Sequence, residues 1–175
     1  MRTKPVSEDK LGVLLACLMP QNALACRVSL ETGLRIDDVL SIKTIQLTKG
    51  RWTLTERKTG KKRRIYIPKA LQEEILAYSG KVWAFPHRND QTKHRTRQAV
   101  YMDIKRAAKV LRLGEGIATH SMRKNYAVDK FKATGDLKKV QELLNHKYEA
   151  TTMLYALADV LAERQTRKLA EKAKG

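Results

Sequence analysis

Thr119-His120-Ser121-Met122-Arg123, then Leu143-Leu144-Asn145-His146-Lys147, then Thr151-Thr152-Met153-Leu154-Tyr155 follow one another within residues 119–155. This stretch brings two histidines, an arginine and a tyrosine together in a strongly basic chain, with no cofactor signature beside them. Those residue types suggest chemistry on a phosphodiester.

The spacing supports that reading. His120 and Arg123 stand three apart on an expected helix and share its face. They fall in its first turn, where free backbone N–H groups and the positive end of the dipole favour a phosphate. A tyrosine attacks a phosphodiester to give a phosphotyrosine. With an ordinary pKa of about 10 it needs a base or cationic neighbours, and His120 is the candidate base. Arginine forks bind the non-bridging oxygens of the transition state bidentately and stay charged. A second arginine, and a lysine to protonate the leaving 5′ oxygen, would complete such a site.

Composition narrows the partner. The 175 residues are 42% hydrophobic and 31% charged, enough for one domain with a real core. Lys and Arg total 36 against 18 Asp and Glu, a net charge of +18. Self-repulsion of that size calls for a polyanion, and nucleic acid leads. The basic residues are spread over many elements rather than one amphipathic helix, which disfavours a membrane surface. No run reaches the ~20 apolar residues of a membrane span. Cys17 and Cys26 lack metal-ligand spacing and read as reduced core thiols, so a cytoplasmic, DNA-associated protein is expected.

Working outward, the pattern predicts helices over Glu8–Met19, Gln21–Thr32 and Asp37–Ile42, with Ser7 as N-cap of the first and Gly33 closing the second. Ile45–Thr48, Trp52–Thr55 and Arg64–Ile67 read as three antiparallel strands, the last two joined by the hairpin loop Lys58-Thr59-Gly60-Lys61. Further helices are expected over Pro68–Tyr78, Thr96–Leu111, His120–Ala133, Leu137–Leu144 and Ala150–Ala156, with a polar tail helix over Asp159–Lys174. Val82–Phe85 reads as a short strand or an apolar anchor, and Pro86–Arg95, with His87 and His94, as a surface loop. The fold class is α+β, mainly helical, with a small three-stranded sheet.

The missing parts have candidates upstream. Arg35 lies between two helices with Asp38 three positions on, and Lys58 sits on the hairpin, from which it can reach into a site. The ordered set resembles the catalytic domain of the tyrosine recombinases, the phage-integrase family. The matching segments are Thr32-Gly33-Leu34-Arg35 with Asp38 and Leu40, the Lys58-Thr59-Gly60-Lys61 loop, His120-Ser121-Met122-Arg123, Leu143-Leu144-Asn145-His146 and Thr151-Thr152-Met153-Leu154-Tyr155. The resemblance covers about residues 7–160.

The resemblance implies an integrase-like fold and a role for each residue. Tyr155 would attack the scissile phosphate and form a 3′-phosphotyrosyl link. Arg35 and Arg123 would clamp the phosphate, and His120 would act as acid and base. His146 would donate to a non-bridging oxygen, Lys58 would protonate the 5′ leaving group, and Asp38 would support the site from behind. No cofactor and no metal is implied, because the cations come from the protein. Ser121 and Met122 stand where the family more often has Asp-Leu, and Lys124 where a histidine or arginine is usual. Asn145 replaces a common glycine, and Leu157 a frequent histidine. Family members usually carry a separate helical core-binding domain ahead of this one; here residues 1–175 read as one catalytic domain without it. The tail is expected to dock on a neighbouring copy on DNA.

Two other readings use the same residues. Asp136–Ala156 fits a helix-turn-helix module that binds DNA without cutting it, but that reading leaves Arg35 and Lys58 without a role. A type IB topoisomerase would use similar tyrosine chemistry; the Thr-Thr-x-x-Tyr segment and small size favour a recombinase.

Overall fold

Alternating burial along Arg51–Thr55 organises one side of the molecule. Trp52 and Leu54 point inward while Arg51, Thr53 and Thr55 face solvent. This strand, β1, pairs antiparallel with β2 (Lys62–Tyr66), in register from Arg51 opposite Tyr66 to Thr55 opposite Lys62. The computed structural model describes residues 3–144; the positions expected to carry His146, Tyr155, the Ala150–Ala156 helix and the tail helix lie outside them. Two compact units make up the chain, one ending at Tyr126 and the other beginning at Ala127.

In the first unit, α1 (Glu8–Ala16), α2 (Pro20–Thr32) and α3 (Ile36–Leu40) precede the sheet, and α5 (Lys69–Leu76) and α6 (Arg97–Val110) follow it. Pro20 opens α2 at a first-turn position that has no N–H to lose, and Gly33 closes it in the left-handed conformation at φ +67°. Thr96 caps α6 by accepting the Ala99 N–H at 3.1 Å. Leu14, Leu34, Leu40, Ile42, Ile67, Ile75, Phe85 and Ile104 form the heart of one continuous core.

The sheet has two strands, not the three expected. Residues Thr44–Thr48 form a short helix, α4, whose start is fastened by Gln46 Oε1 accepting the Lys43 N–H at 2.8 Å. A strand would have put Ile45 and Leu47 on one face. In the helix they separate, with Leu47 fully buried and Ile45 62% exposed. Thr44 also spends its backbone N–H on Val82 and its hydroxyl on Gly80. Val82–Phe85 is therefore an anchor rather than a strand: Trp83 makes an isolated bridge to Lys43, and Ala84 and Phe85 are buried.

The helix α7 (Thr119–Thr134) begins in this unit, where expected. Its start is tied to the N-terminal segment. Asn125 accepts the Val6 N–H at 2.8 Å and donates to the Val6 carbonyl, and Lys124 Nζ donates to the Thr3 carbonyl.

In the second unit, Gly135 breaks the chain at φ +66° and Asp136 caps α8 (Leu137–Leu143), accepting the Lys138 and Lys139 N–H groups at 2.8 and 3.2 Å. No helix among the described residues is long and apolar enough to cross a membrane.

Candidate active site

Period-two alternation carries β1 directly into the site. After Trp52 and Leu54, the next inward position is Glu56, and it is fully buried at the base of the hairpin. A buried carboxylate needs partners. Glu56 Oε2 accepts from Arg35 Nη1 at 2.8 Å and from the Thr59 hydroxyl at 3.0 Å, while Oε1 stands 3.9 Å from Arg63 Nη1. Removing one partner of such a pair costs roughly 3–5 kcal/mol, because the other charge is left buried.

The hairpin loop is closed by the same residue. The Glu56 N–H donates to the Lys61 carbonyl at 3.0 Å, and the Gly60 N–H donates to the Glu56 carbonyl at 2.9 Å. Gly60 sits at φ +65°, which a non-glycine residue adopts only with strain. Lys58 is exposed on this loop. Arg35 and Lys58, expected from distant parts of the sequence to serve one site, line one cavity of about 440 Å³ together with Asp37, Asp38 and Arg57.

Asp38 ties the cavity to α7. It is 1% exposed, and its Oδ1 accepts the Arg57 N–H at 3.0 Å. Burial lifts its carboxyl above the ordinary carboxylate range. The Arg57 N–H pulls the other way, Glu56 adds to the rise, and the Arg35 and Arg123 guanidiniums both oppose it. The two expected arginines are thus electrostatic neighbours of one carboxyl. Arg123 is 1% exposed and donates from Nη1 to the Gly33 carbonyl, two residues before Arg35.

His120 is half-buried in the first turn of α7, three positions before Arg123. The departures around it have structural work. The Ser121 hydroxyl accepts the Ala118 N–H at 3.1 Å, shaping the entry to the helix, and Met122 is fully buried in the core. His146 and Tyr155 are outside the described residues; of the expected set, Arg35, Asp38 and Lys58 line one cavity and Arg123 acts on the Asp38 carboxyl. Glu56 was missed by motif reading. The signal was there in the inward register of 52, 54 and 56. The described residues contain no group of three or more His, Cys, Asp or Glu side chains placed to hold a metal.

The comparisons with known proteins agree with this geometry. The family model for the phage integrase family matches residues 7–161. The probable integrase/recombinase YoeC of Bacillus subtilis is 32% identical over 131 residues, covering 72% of this chain and 71% of that one. Tyrosine recombinase XerA of Thermococcus kodakarensis is 27% identical, over 98% of this chain and 63% of its own length. Among solved structures, the XerH recombinase in a post-cleavage complex with difH substrate superposes with a TM-score of 0.72 at 18% identity, over 98% of this chain and 54% of that one. The catalytic domain of bacteriophage HP1 integrase superposes with a TM-score of 0.60 at 21% identity, over 89% and 88%. The chain therefore spans about half to two thirds of its longer relatives, and nearly all of an isolated catalytic domain. Its fold is that of integrase catalytic domains, and the chain belongs to the phage integrase family.

Proposed function

We propose that this chain is the catalytic part of a site-specific DNA recombinase that cuts and rejoins strands through a 3′-phosphotyrosyl intermediate. The observation that carries the reading is the meeting of Arg35 and Lys58 in one cavity, with Asp38 behind them feeling both Arg35 and Arg123. Near-complete coverage of the HP1 catalytic domain supports assigning residues 1–175 to a single catalytic domain.

In this reading Tyr155 Oη attacks the scissile phosphorus, the bond to the 5′ oxygen breaks, and a 3′-phosphotyrosine and a free 5′ hydroxyl result. His120 takes the tyrosine proton, and Lys58 delivers a proton to the departing 5′ oxygen. Arg35 and Arg123 hold the non-bridging oxygens, and His146 donates to one of them. The ester keeps the energy of the broken bond, so a 5′ hydroxyl reverses the step without an external energy source. No metal or cofactor is needed for either direction. A non-cutting helix-turn-helix would leave the Arg35–Lys58 cavity without a purpose, and the family membership favours cleavage and rejoining over it and over a topoisomerase.

Double-stranded DNA is the partner in this reading. The solved XerH is bound to difH, and a solved lambda integrase dimer is bound to a COC′ core site. The charge of +18 on this chain suits the same polyanion. A cytoplasmic protein associated with the chromosome fits this reading. The segment after Asp159 docks through Val160, Leu161 and Leu169 on a neighbouring copy; truncation there should impair synapsis more than folding, and loss of folding would refute it.

The test is a nicked suicide duplex built from DNA flanking the gene. The wild-type chain should accumulate a covalent DNA adduct that Tyr155→Phe does not form. An adduct that persists in Tyr155→Phe would overturn the assignment.

A further inference from the structure

Glu56 is not among the groups that the proposed chemistry uses, yet it joins two that are. Its Oε2 binds Arg35 Nη1 at 2.8 Å and the Thr59 hydroxyl at 3.0 Å at once. Thr59 is the neighbour of Lys58, and its hydroxyl also accepts the Lys61 N–H at 3.3 Å. The Glu56 backbone closes the loop from below through Lys61 and Gly60. A single buried carboxylate thereby spans from the phosphate clamp to the loop that carries the leaving-group acid.

We propose that Glu56 is a positioning residue that couples Arg35 to the Lys58 hairpin, so that the phosphate clamp and the proton donor are set as one unit; this rests on the recombinase reading above. The physical case is one of freedom removed. Lys58 is exposed on a short loop, and its long side chain has many rotamers. The backbone beneath it is held from Glu56, Thr59 and Gly60 and, at the Arg57 N–H, from Asp38; of the loop's own three residues Glu56 alone is fully buried. Because Glu56 is anchored in the core face of β1, the loop inherits the rigidity of the strand. Arg35, 12% exposed, is aimed from the same carboxylate oxygen. A phosphate entering the cavity shares Arg35 with Glu56 and meets a guanidinium already oriented.

The test separates positioning of the acid from general loosening. The full chain is reacted in single turnover with two nicked suicide duplexes from DNA flanking the gene. One carries oxygen at the scissile 5′ bridging position and the other carries sulfur. A 5′ thiolate departs without a proton, so the sulfur duplex does not need Lys58. Thr59→Val keeps the shape of the loop residue and removes the link to Glu56, together with the longer bond from the Lys61 N–H. It should cleave the oxygen duplex roughly tenfold more slowly, within the ~10²–10⁴ a general acid supplies, and the sulfur duplex at the wild-type rate. Glu56→Ala should be slower still on oxygen and only partly rescued by sulfur, because Arg35 is loosened too. Glu56→Gln, which keeps an acceptor oxygen, should fall between wild type and Glu56→Ala on the oxygen duplex.

Wild-type rates for Thr59→Val on the oxygen duplex, or an oxygen defect in that variant that sulfur does not relieve, would overturn the proposal. Should Glu56→Ala not fold, Thr59→Val alone decides it. A wild-type chain that forms no adduct on either duplex overturns the recombinase reading itself, and the coupling role with it.

Discussion

Arg123 donates from Nη1 to the carbonyl of Gly33, ninety residues earlier in the chain. Gly33 is held there by two constraints. Its φ of +67° is left-handed, and a Cβ built on it would lie 2.5 Å from Cδ1 of Tyr126, one turn beyond Arg123. Close approach of the α2 end to α7 is thus what lets a backbone carbonyl orient a buried guanidinium.

Gly33→Ala should lower the unfolding free energy by about 1–3 kcal/mol, from strained backbone and overpacking together. Urea unfolding of the single variant, of Tyr126→Ala and of the double variant measures how much comes from the clash. The alanine should cost less when Tyr126 is already truncated. Equal costs in both backgrounds would assign the whole effect to φ.

Asp38 should make the fold less stable as pH rises. Its folded pKa is raised, chiefly by burial, so between the ordinary carboxylate value and the raised one the native state binds more protons than the unfolded chain. This contribution is favourable below the ordinary value and is lost as pH climbs through the folded one. Asp38→Asn keeps an oxygen for the Arg57 N–H and should flatten that part of the stability profile while slowing adduct formation. Thermal melts from pH 4 to neutrality, beside the cleavage assay, check both halves. An unchanged slope in the melts would count against the electrostatic account.

The two cysteines should react very differently. Cys26 is fully buried, and desolvation pushes its thiol up to about 12, with Asp103 adding to the rise. Cys17 is only half-buried, and both thiols are free. An alkylating reagent near neutral pH should add one label to the native protein, on Cys17, and two in denaturant. Intact mass and peptide mapping read this directly.

DNA binding should fall steeply with salt. Neutralising ~8 phosphates would give a log–log slope of about −7. A titration of a fluorescent duplex from low to moderate salt measures it; a slope near zero would remove the DNA backbone as the main partner.

Local signals made most of the fold legible in the sequence. The close of α2 at Gly33, and helix starts at Pro20, Arg97 and Leu137 within a residue of those expected, are decisions taken over a few residues. Ile45–Thr48 was not legible, because alternation in a four-residue apolar run also fits a helical turn. Side-chain and backbone bonds to Lys43, Gly80 and Val82 decided it. For the candidate site, the order and spacing of the motifs singled out Arg35, Lys58, His120 and Arg123, and the structure sets the first two on one cavity. Glu56 escaped because a glutamate beside a basic hairpin looks like surface. Only the inward register of β1 distinguishes it, and its partners come from 21 residues before and three after.

The fastening of Val6 by Asn125 and of Thr3 by Lys124 spans 119 and 121 residues. Closing so long a loop costs chain entropy on the order of 4 kcal/mol, and it cannot happen until residue 125 has been made. During translation, Arg35 and the lysine hairpin leave the ribosome while the helix bearing Arg123 is still unsynthesised. The half-made chain carries its cationic cavity but not the closed unit around it. Birth order along the messenger thereby puts the Arg35–Lys58 cavity ahead of the helix that brings the second arginine to it.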